Sequence, residues 1–128
     1  MATREIAVYD ETFEAFADLS GDQYKAVDFA STGQVGLGGT GFGILQNKPV
    51  GGGAGAPAAA RVRVHGISRH VVNGSGTPIA IGSPLRASSG VGIVATTGNL
   101  AYATALQAST TNGDIISVLL TGPFRIHA

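Results

Sequence analysis

Residues 61–67 read RVRVHGI, and this stretch has the clearest alternation of apolar and charged side chains in the chain. Successive side chains point to opposite faces of a β-strand, so such a stretch has one apolar and one polar face. The apolar face carries Val62, Val64 and Gly66. The polar face carries Arg61, Arg63 and His65. The pattern predicts a half-buried strand with a row of basic side chains on its outer face.

Short apolar stretches with turn signals between them recur along the rest of the chain. Glycine makes up 20 of the 128 residues and charged residues only 12%, which is about half the usual charged share. Long solvated helices need more helix formers and more charge than this. Further strands are predicted at 24–30, 42–45, 91–94, 100–106 and 114–120. We therefore predict an all-β fold, a single compact β-barrel or sandwich domain of short antiparallel strands.

Turn and loop signals divide these strands. Two Asn-Gly pairs, at 73–74 and 112–113, are strong hairpin signals. The first is expected to join RHVV to PIAIG, and the second to lead into the final core strand. VGGGAGAPAAA, residues 50–60, offers no side chain that could fix a structure, so we expect an exposed loop. The residues after Leu120 are expected to form a short tail.

The first 28 residues differ from the rest in charge. They hold seven carboxylates and two basic residues, a net charge of −5, whereas the remaining hundred residues carry +5. Chance and an acidic, helix-favouring start explain this as well as docking of the segment on a basic surface of its own body or of a neighbouring copy. DETFEAFADL, residues 10–19, predicts either a short helix of one or two turns or an extended arm. We divide the chain into an acidic N-terminal arm (1–18), a β domain (19–122) and a C-terminal tail (123–128).

The glycines at 36–41 match G-x-G-x-x-G, the fingerprint of a dinucleotide-binding turn. That turn needs a helix directly after its last glycine, where the helix N-terminus meets the pyrophosphate. Here Gly43 and Pro49 follow and leave no room for a helix. We expect these glycines to serve a hairpin or bulge in crowded β structure, and we predict no cofactor.

The sequence lacks the usual patterns of catalysis and metal binding. It contains no cysteine, and its serines lack a nucleophile elbow. His65 and His70 are five residues apart, which places them on opposite faces of one strand. We expect solvated or interfacial histidines rather than a metal pair, and a protein that is not an enzyme.

Targeting and partner signals are equally sparse. The start of the chain has no apolar run typical of a signal peptide, and no stretch is apolar for long enough to span a membrane. The positive charges form no basic run. We expect a soluble protein made in a cytoplasm, with neither a membrane nor nucleic acid as a direct partner.

Five blocks of sequence carry a specific resemblance. They are LSGDQYKAVDF (19–29), LQNKP (45–49), ARVRVHGIS (60–68), PIAIGSPL (78–85) and GDIISVLL (113–120). In this order they resemble the small head decoration, or capsid cement, proteins of tailed bacteriophages. The LQNKP block is the most distinctive. The loop GGGAGAP is longer than that family leads us to expect, and the first 18 residues and the tail lie outside the resemblance.

The resemblance implies a structural protein of the virion on the outer face of an expanded capsid. Such proteins are commonly trimeric, strengthen the shell against internal DNA pressure and use no cofactor. The expected partners are the major capsid protein and further copies of this chain. We place the capsid or subunit interface at six residues: Tyr9, Phe13, Phe16, Arg61, Arg63 and His65.

Two other classes of protein fit the β-rich composition. One is another structural phage component, from the tail or a head fibre, which differs in copy number and location on the virion. The other is a carbohydrate-binding β module. Such modules stack sugars on exposed aromatic rings, but this chain has no tryptophan and only three tyrosines.

Overall fold

The computed structural model describes residues 9–53 and 57–126, and within them it contains nine strands and no helix. The strands are β1 (Tyr9–Glu14), β2 (Ala26–Phe29), β3 (Val35–Leu37), β4 (Gly43–Leu45), β5 (Ala59–Asn73), β6 (Pro84–Ser88), β7 (Val91–Val94), β8 (Leu100–Ala105) and β9 (Asn112–Arg125). All strand pairs are antiparallel except the single pairing of β5 with β7. The predicted all-β fold is confirmed.

β5 is the longest strand, and its side chains alternate between the interior and the surface as the RVRVHGI pattern predicts. Even-numbered positions such as Val62 and His70 are buried, whereas Arg61 and His65 on the odd-numbered side are exposed. Gly66 has a φ of 106°, a backbone conformation that glycine adopts without steric cost. The strand changes partners at this residue, so its two halves belong to different parts of the fold.

The first half of β5 belongs to what we call the N-terminal ring. Its strands are hydrogen-bonded in the order β1, β5, β4, β2, β3. A parallel bridge between Ala15 and Val35 joins the end of β1 to β3, and the Phe16 N–H donates to the Val35 carbonyl at 2.8 Å. Five short strands therefore close on themselves.

The second half of β5 belongs to what we call the C-terminal ring. From Gly66 onward β5 pairs with β9, and the ring continues through β8, β6 and β7. A parallel bridge between Val72 and Gly92 returns the chain of hydrogen bonds to β5. The fold is thus two small rings that share one strand.

Each ring has its own apolar core. The core of the C-terminal ring consists of Ala26, Ile44, Val72, Ile79, Leu85, Ala87, Tyr102, Ala103, Ala105, Ile116, Val118 and Leu120. The core of the N-terminal ring consists of Ala15, Leu19, Val27, Val35, Leu45, Ala60 and Val62. Adjacent residues of β2 and β4 face different cores, so these two strands form the wall between the rings.

Backbone hydrogen bonds also join the two rings away from β5. The Ala26 N–H donates to the Gly90 carbonyl at 2.7 Å, and the Gly90 N–H donates to the Gly38 carbonyl at 2.8 Å. The Val71 N–H donates to the Tyr24 carbonyl at 2.8 Å. The β6–β7 turn of one ring is therefore fixed to β2 and the glycine loop of the other.

The helical alternative for residues 10–19 is wrong, because β1 is an extended strand that pairs with β5 from His65 to Ala59. The extended alternative is the observed one. Ala15 is fully buried and belongs to the N-terminal core. A strand wins here because the segment gains a complete ladder of hydrogen bonds with β5, which a helix of one or two turns cannot offer.

The hairpin expected at 73–74 is also wrong. Asn73 ends β5, but its Oδ1 accepts hydrogen bonds from the Ser75 N–H and hydroxyl, and β5 pairs with β9 instead. PIAIG forms only an isolated bridge between Ile79 and Ser109. The second Asn-Gly pair opens β9 as predicted, although β9 continues through Arg125, well past the expected end of the core strand.

The expectation of an exposed loop over 50–60 holds at Val50, which is 80% exposed, but is wrong at Gly52, Gly53 and Ala60. Residues 54–56 lie outside the described residues. Gly52 and Gly53 are half-buried against the end of β1, and the Gly53 N–H donates to the Ala15 carbonyl at 3.0 Å. Ala60 is fully buried in β5. Small residues here allow close backbone approach rather than freedom of the chain.

Candidate functional site

The glycine loop between β3 and β4 encloses a carboxylate of its own chain. Asp28 on β2 accepts hydrogen bonds from the Thr40 N–H at 2.8 Å and the Gly41 N–H at 2.5 Å. A Cβ at position 38 would lie 2.8 Å from the Asp28 Cγ, so only glycine allows this approach. The loop is an anion-binding turn, but the anion is Asp28, and strand β4 follows where a dinucleotide site needs a helix.

Three phenylalanines pack together at the side of the N-terminal ring. The Phe29 and Phe42 rings are stacked with centroids 4.4 Å apart, and Phe13 meets both rings edge-on. Such pairs contribute about 0.5–1.5 kcal/mol each beyond area burial. Phe13 is therefore half-buried structure rather than a free anchor, whereas Phe29 is 55% exposed.

A groove of about 430 Å³, here called the aromatic groove, opens beside this cluster. Its apolar wall includes Phe16, Phe29 and Leu37, which are 50%, 55% and 40% exposed. Exposed aromatic and aliphatic side chains that adjoin in one groove are typical of interaction surfaces. Sequence reasoning found Phe16 and missed Phe29 and Leu37. The signal for Phe29 was its position at the last residue of a strand, two residues before the STG turn.

The rim of the aromatic groove is acidic. Asp18, Asp22 and Asp28 line it, and in the described part of the chain only Asp22 has a cationic partner, the Lys25 ammonium at 2.9 Å. The Ser20 N–H donates to Asp18 at 3.0 Å, and this backbone hydrogen bond lowers the pKa of the Asp18 carboxyl. The groove thus combines apolar surface with negative charge at neutral pH.

The outer face of β5 forms a second surface, here called the basic row, made of Arg61, Arg63, His65 and Arg69. Asp10 on β1 neutralises part of it, because Arg63 Nε and Nη2 donate to the Asp10 carboxylate at 2.8 and 3.2 Å. Arg61 lies 3.7 Å from the same carboxylate. For Asp10, the acidic segment docks on the basic surface of its own body, which is one of the two alternatives drawn from the charge pattern.

Apolar side chains flank the basic row where β5 pairs with β9. Ile67 lies opposite Leu119 in the ladder, and Val71 lies opposite Ile115. Ile67, Leu119 and Ile115 are 42%, 38% and 53% exposed. Sequence reasoning missed these residues, because it took DIISVLL for a strand of the core without separating its two faces.

The six residues expected at an interface fall into separate places. Tyr9 lies opposite His65 in the β1–β5 ladder, and the Tyr9 hydroxyl donates to Glu11, which raises the pKa of Tyr9. Arg61 and Arg63 lie beside this pair on the basic row. Phe16 alone lines the aromatic groove. The fold thus joins Tyr9 to the basic residues and separates it from Phe16.

His70 is fully buried in the C-terminal ring, so the expectation of a solvated or interfacial histidine is wrong for this residue. Its Nδ1 lies 2.8 Å from the Tyr24 carbonyl, and its Nε2 pairs with the Tyr102 hydroxyl. Burial lowers the pKa of His70 to about 4 and raises the pKa of Tyr102. His70 is therefore neutral, with Nδ1–H donating to Tyr24 and Nε2 accepting from Tyr102.

The LQNKP block has a clear structural role. Asn47 donates to the Ala59 carbonyl and accepts from the Arg61 N–H, both at 2.9 Å, so its amide extends the β4–β5 ladder. The buried Gln46 amide donates to Ser68 at 2.8 Å, which connects LQNKP with the serine of VHGIS. These two blocks fix β4 against both halves of β5.

Among the described residues, 9–53 and 57–126, no group of three histidine, cysteine, aspartate or glutamate residues could hold a metal ion. No helix there has the length and apolar character needed to cross a membrane.

Comparison with known proteins gives no match to a family model, to a curated protein or to a solved structure.

Proposed function

We propose that this chain is a structural protein of a tailed-phage head, one that binds the outer face of the capsid and stabilises it. The observation that carries the proposal is the resemblance of the LQNKP and VHGIS blocks to head decoration proteins. Gln46 and Asn47 hold β4 against β5, so the two blocks that carry the resemblance are in contact in the fold.

The two exposed surfaces support a role in assembly. The aromatic groove is apolar and acidic, whereas the basic row is flanked by Ile67, Ile115 and Leu119. Apolar surface surrounded by charge suits protein–protein contact, in which the charges select the partner and the apolar groups supply affinity. The partners in this proposal are the major capsid protein and two further copies of the chain in a trimer.

The test is cosedimentation of the purified full-length chain with expanded, undecorated shells of its own phage, followed by cryo-electron microscopy. We expect saturable binding and density on the outer face of the head. Density on the tail, or no binding to the shells, would contradict the proposal. The native mass in solution separately tests the trimer.

Point variants test the surfaces better than truncation, because removing residues 2–18 would also remove β1 and the buried Ala15. Phe16→Ser probes the aromatic groove and Arg69→Glu probes the basic row. Ile81→Ser is the matched control, since Ile81 is 73% exposed and belongs to neither surface. We expect at least one surface variant, and not the control, to weaken shell binding.

A further inference from the structure

A cleft of about 320 Å³ opens on the C-terminal ring, between strands β6 and β7 and the turn after β5. We call it the Arg86 cleft. Its lining residues are Asn73, Gly76, Thr77, Arg86, Ile93, Val94 and Thr96. It belongs neither to the aromatic groove nor to the basic row, and the proposed function makes no use of it.

Arg86 is the unusual residue of this cleft. It lies on β6 beside Ile93 of β7, and its side chain is half-buried. Its Nε is out of contact with solvent and has no hydrogen-bond partner, and within the described residues no carboxylate pairs with its guanidinium. A buried donor without a partner is costly, and native folds leave few of them without a reason.

Two neighbours add unused donors. The Oδ1 of Asn73 accepts from Ser75, which turns the side-chain amide so that its N–H₂ group has no acceptor among the described residues. The Thr77 hydroxyl likewise makes no hydrogen bond within the described chain, and no carboxylate lines the cleft. Three side chains with donor groups, one of them cationic, thus line one cleft without a protein acceptor for those groups among the described residues, and only the Arg86 Nε is also shielded from solvent.

The other wall of the cleft is aliphatic, formed by Ile93 and Val94. We propose that the Arg86 cleft binds a carboxylate that carries a short aliphatic group. A guanidinium presents two parallel N–H donors that match the two oxygens of a carboxylate. The Asn73 amide and the Thr77 hydroxyl supply further donors, and Ile93 and Val94 contact the carbon chain. The volume lies at the small end of the range for ligand pockets, which suits a ligand of amino-acid size.

The test uses the full-length chain and sodium isovalerate as the probe, followed by ¹⁵N NMR and calorimetry. Isovaleramide has the same shape without the charge, and inorganic phosphate is an anion without the aliphatic group. We expect isovalerate to shift the Arg86 Nε–H and the Thr77 amide resonances saturably. We expect isovaleramide to bind about tenfold more weakly, because it cannot form the charge-assisted pair.

Arg86→Gln should weaken isovalerate binding about tenfold or more, and Thr77→Val by a smaller factor. Arg69→Gln is the matched control, because it removes an exposed arginine elsewhere on the protein. Equal affinity for isovalerate and isovaleramide, tighter binding of phosphate, or unchanged binding by Arg86→Gln would overturn the proposal. If Arg86→Gln does not fold, the three probes on the wild-type chain decide the question.

Discussion

The N-terminal and C-terminal rings contain five strands each, share β5 and close through one parallel bridge each. The four strands that the N-terminal ring does not share are three to six residues long. Its core contains seven buried residues, whereas the C-terminal core contains twelve. The C-terminal interior includes the hydrogen-bonded His70–Tyr102 pair. The N-terminal ring instead presents the aromatic groove at its surface.

This difference separates two tasks within one small domain. A large core with a satisfied polar pair favours a single rigid arrangement. A small core surrounded by half-exposed aromatic residues leaves apolar surface for a partner. Because both rings share β5, the stability of one ring also supports the surface that the other ring presents to a partner.

The largest expected effect comes from removing one leucine from either core. Leu85→Ala in the C-terminal ring and Leu45→Ala in the N-terminal ring should each lower the free energy of unfolding by about 2–5 kcal/mol, since both side chains are fully buried. Because β5 is shared, each variant should shift one common transition in denaturant, followed by circular dichroism and tyrosine fluorescence. Two separate transitions would show that the rings unfold independently.

The next effect is a dependence on pH that arises from His70 in the C-terminal ring. The pKa of His70 is about 4 in the folded protein and 6.5 for an ordinary histidine. As the pH falls, His70 therefore binds a proton in the unfolded chain before it does so in the folded protein. The stability contributed by neutral His70 is present above pH 6.5 and is lost as the pH falls toward 4. Linkage gives a loss of about 3 kcal/mol over that window.

Denaturant titrations at several pH values measure this loss, and the comparison is with His70→Gln, which lacks the titrating group. The difference between wild type and variant should shrink as the pH falls. His65→Gln is the control, because His65 is exposed. A parallel pH profile for wild type and His70→Gln would contradict the neutral, buried state of His70.

A smaller contrast concerns one glycine in the closing strand of each ring. A Cβ at Gly92 would lie 2.8 Å from His70 Nε2, whereas a Cβ at Gly36 would lie 3.8 Å from the Phe16 Cβ. Gly92→Ala should cost about 1–3 kcal/mol through overpacking, and Gly36→Ala should stay within about 0.5 kcal/mol of wild type. Thermal and denaturant unfolding measure both, and an equal cost would remove the distinction in packing.

The smallest expected effect concerns the edge of the N-terminal ring. Asp10→Asn weakens the pairing with Arg63 and Arg61, and partly exposed ion pairs contribute about 0.2–1 kcal/mol. In 0.5–1 M salt the difference in stability between wild type and Asp10→Asn should become smaller, because screening weakens the wild-type ion pair. Glu14→Gln is the control on the same strand, and an equal effect of both variants would contradict a specific role for Asp10.

Local pattern was enough to predict β5, β2, β4 and the start of β9, because burial of one strand face imposes alternation on the sequence itself. It could not predict which strands pair. The Asn73-Gly74 signal correctly marks the end of a strand, but the partner of that strand is β9, about forty residues along the chain. Which strand pairs with β5 depends on the whole fold, so it cannot be predicted from the sequence of the turn.

The candidate functional residues also divide into those that the local sequence pattern predicts and those that only the whole fold reveals. Three of the four residues of the basic row, Arg61, Arg63 and His65, follow directly from RVRVHGI. His70 was expected to be solvated or interfacial because no acidic residue lies near it in the sequence. Its burial depends on hydrogen bonds with Tyr24 and Tyr102, which lie 46 and 32 residues away. Arg86 was not singled out from the sequence, because a lone arginine in a strand is ordinary and only the fold shows that its Nε has no hydrogen-bond partner among the described residues.

The sharing of β5 also sets an order in time. Strands β1 to β4 and the first half of β5 lie between Tyr9 and His65, so the pairing segments of the N-terminal ring are synthesised before strands β6 to β9 of the C-terminal ring. The C-terminal ring needs β9, which follows the other eight described strands in the sequence. Until then the second half of β5 is an unpaired edge with Ile67 on it, open to another chain. Once β9 has paired with the second half of β5, that edge is no longer available to another chain.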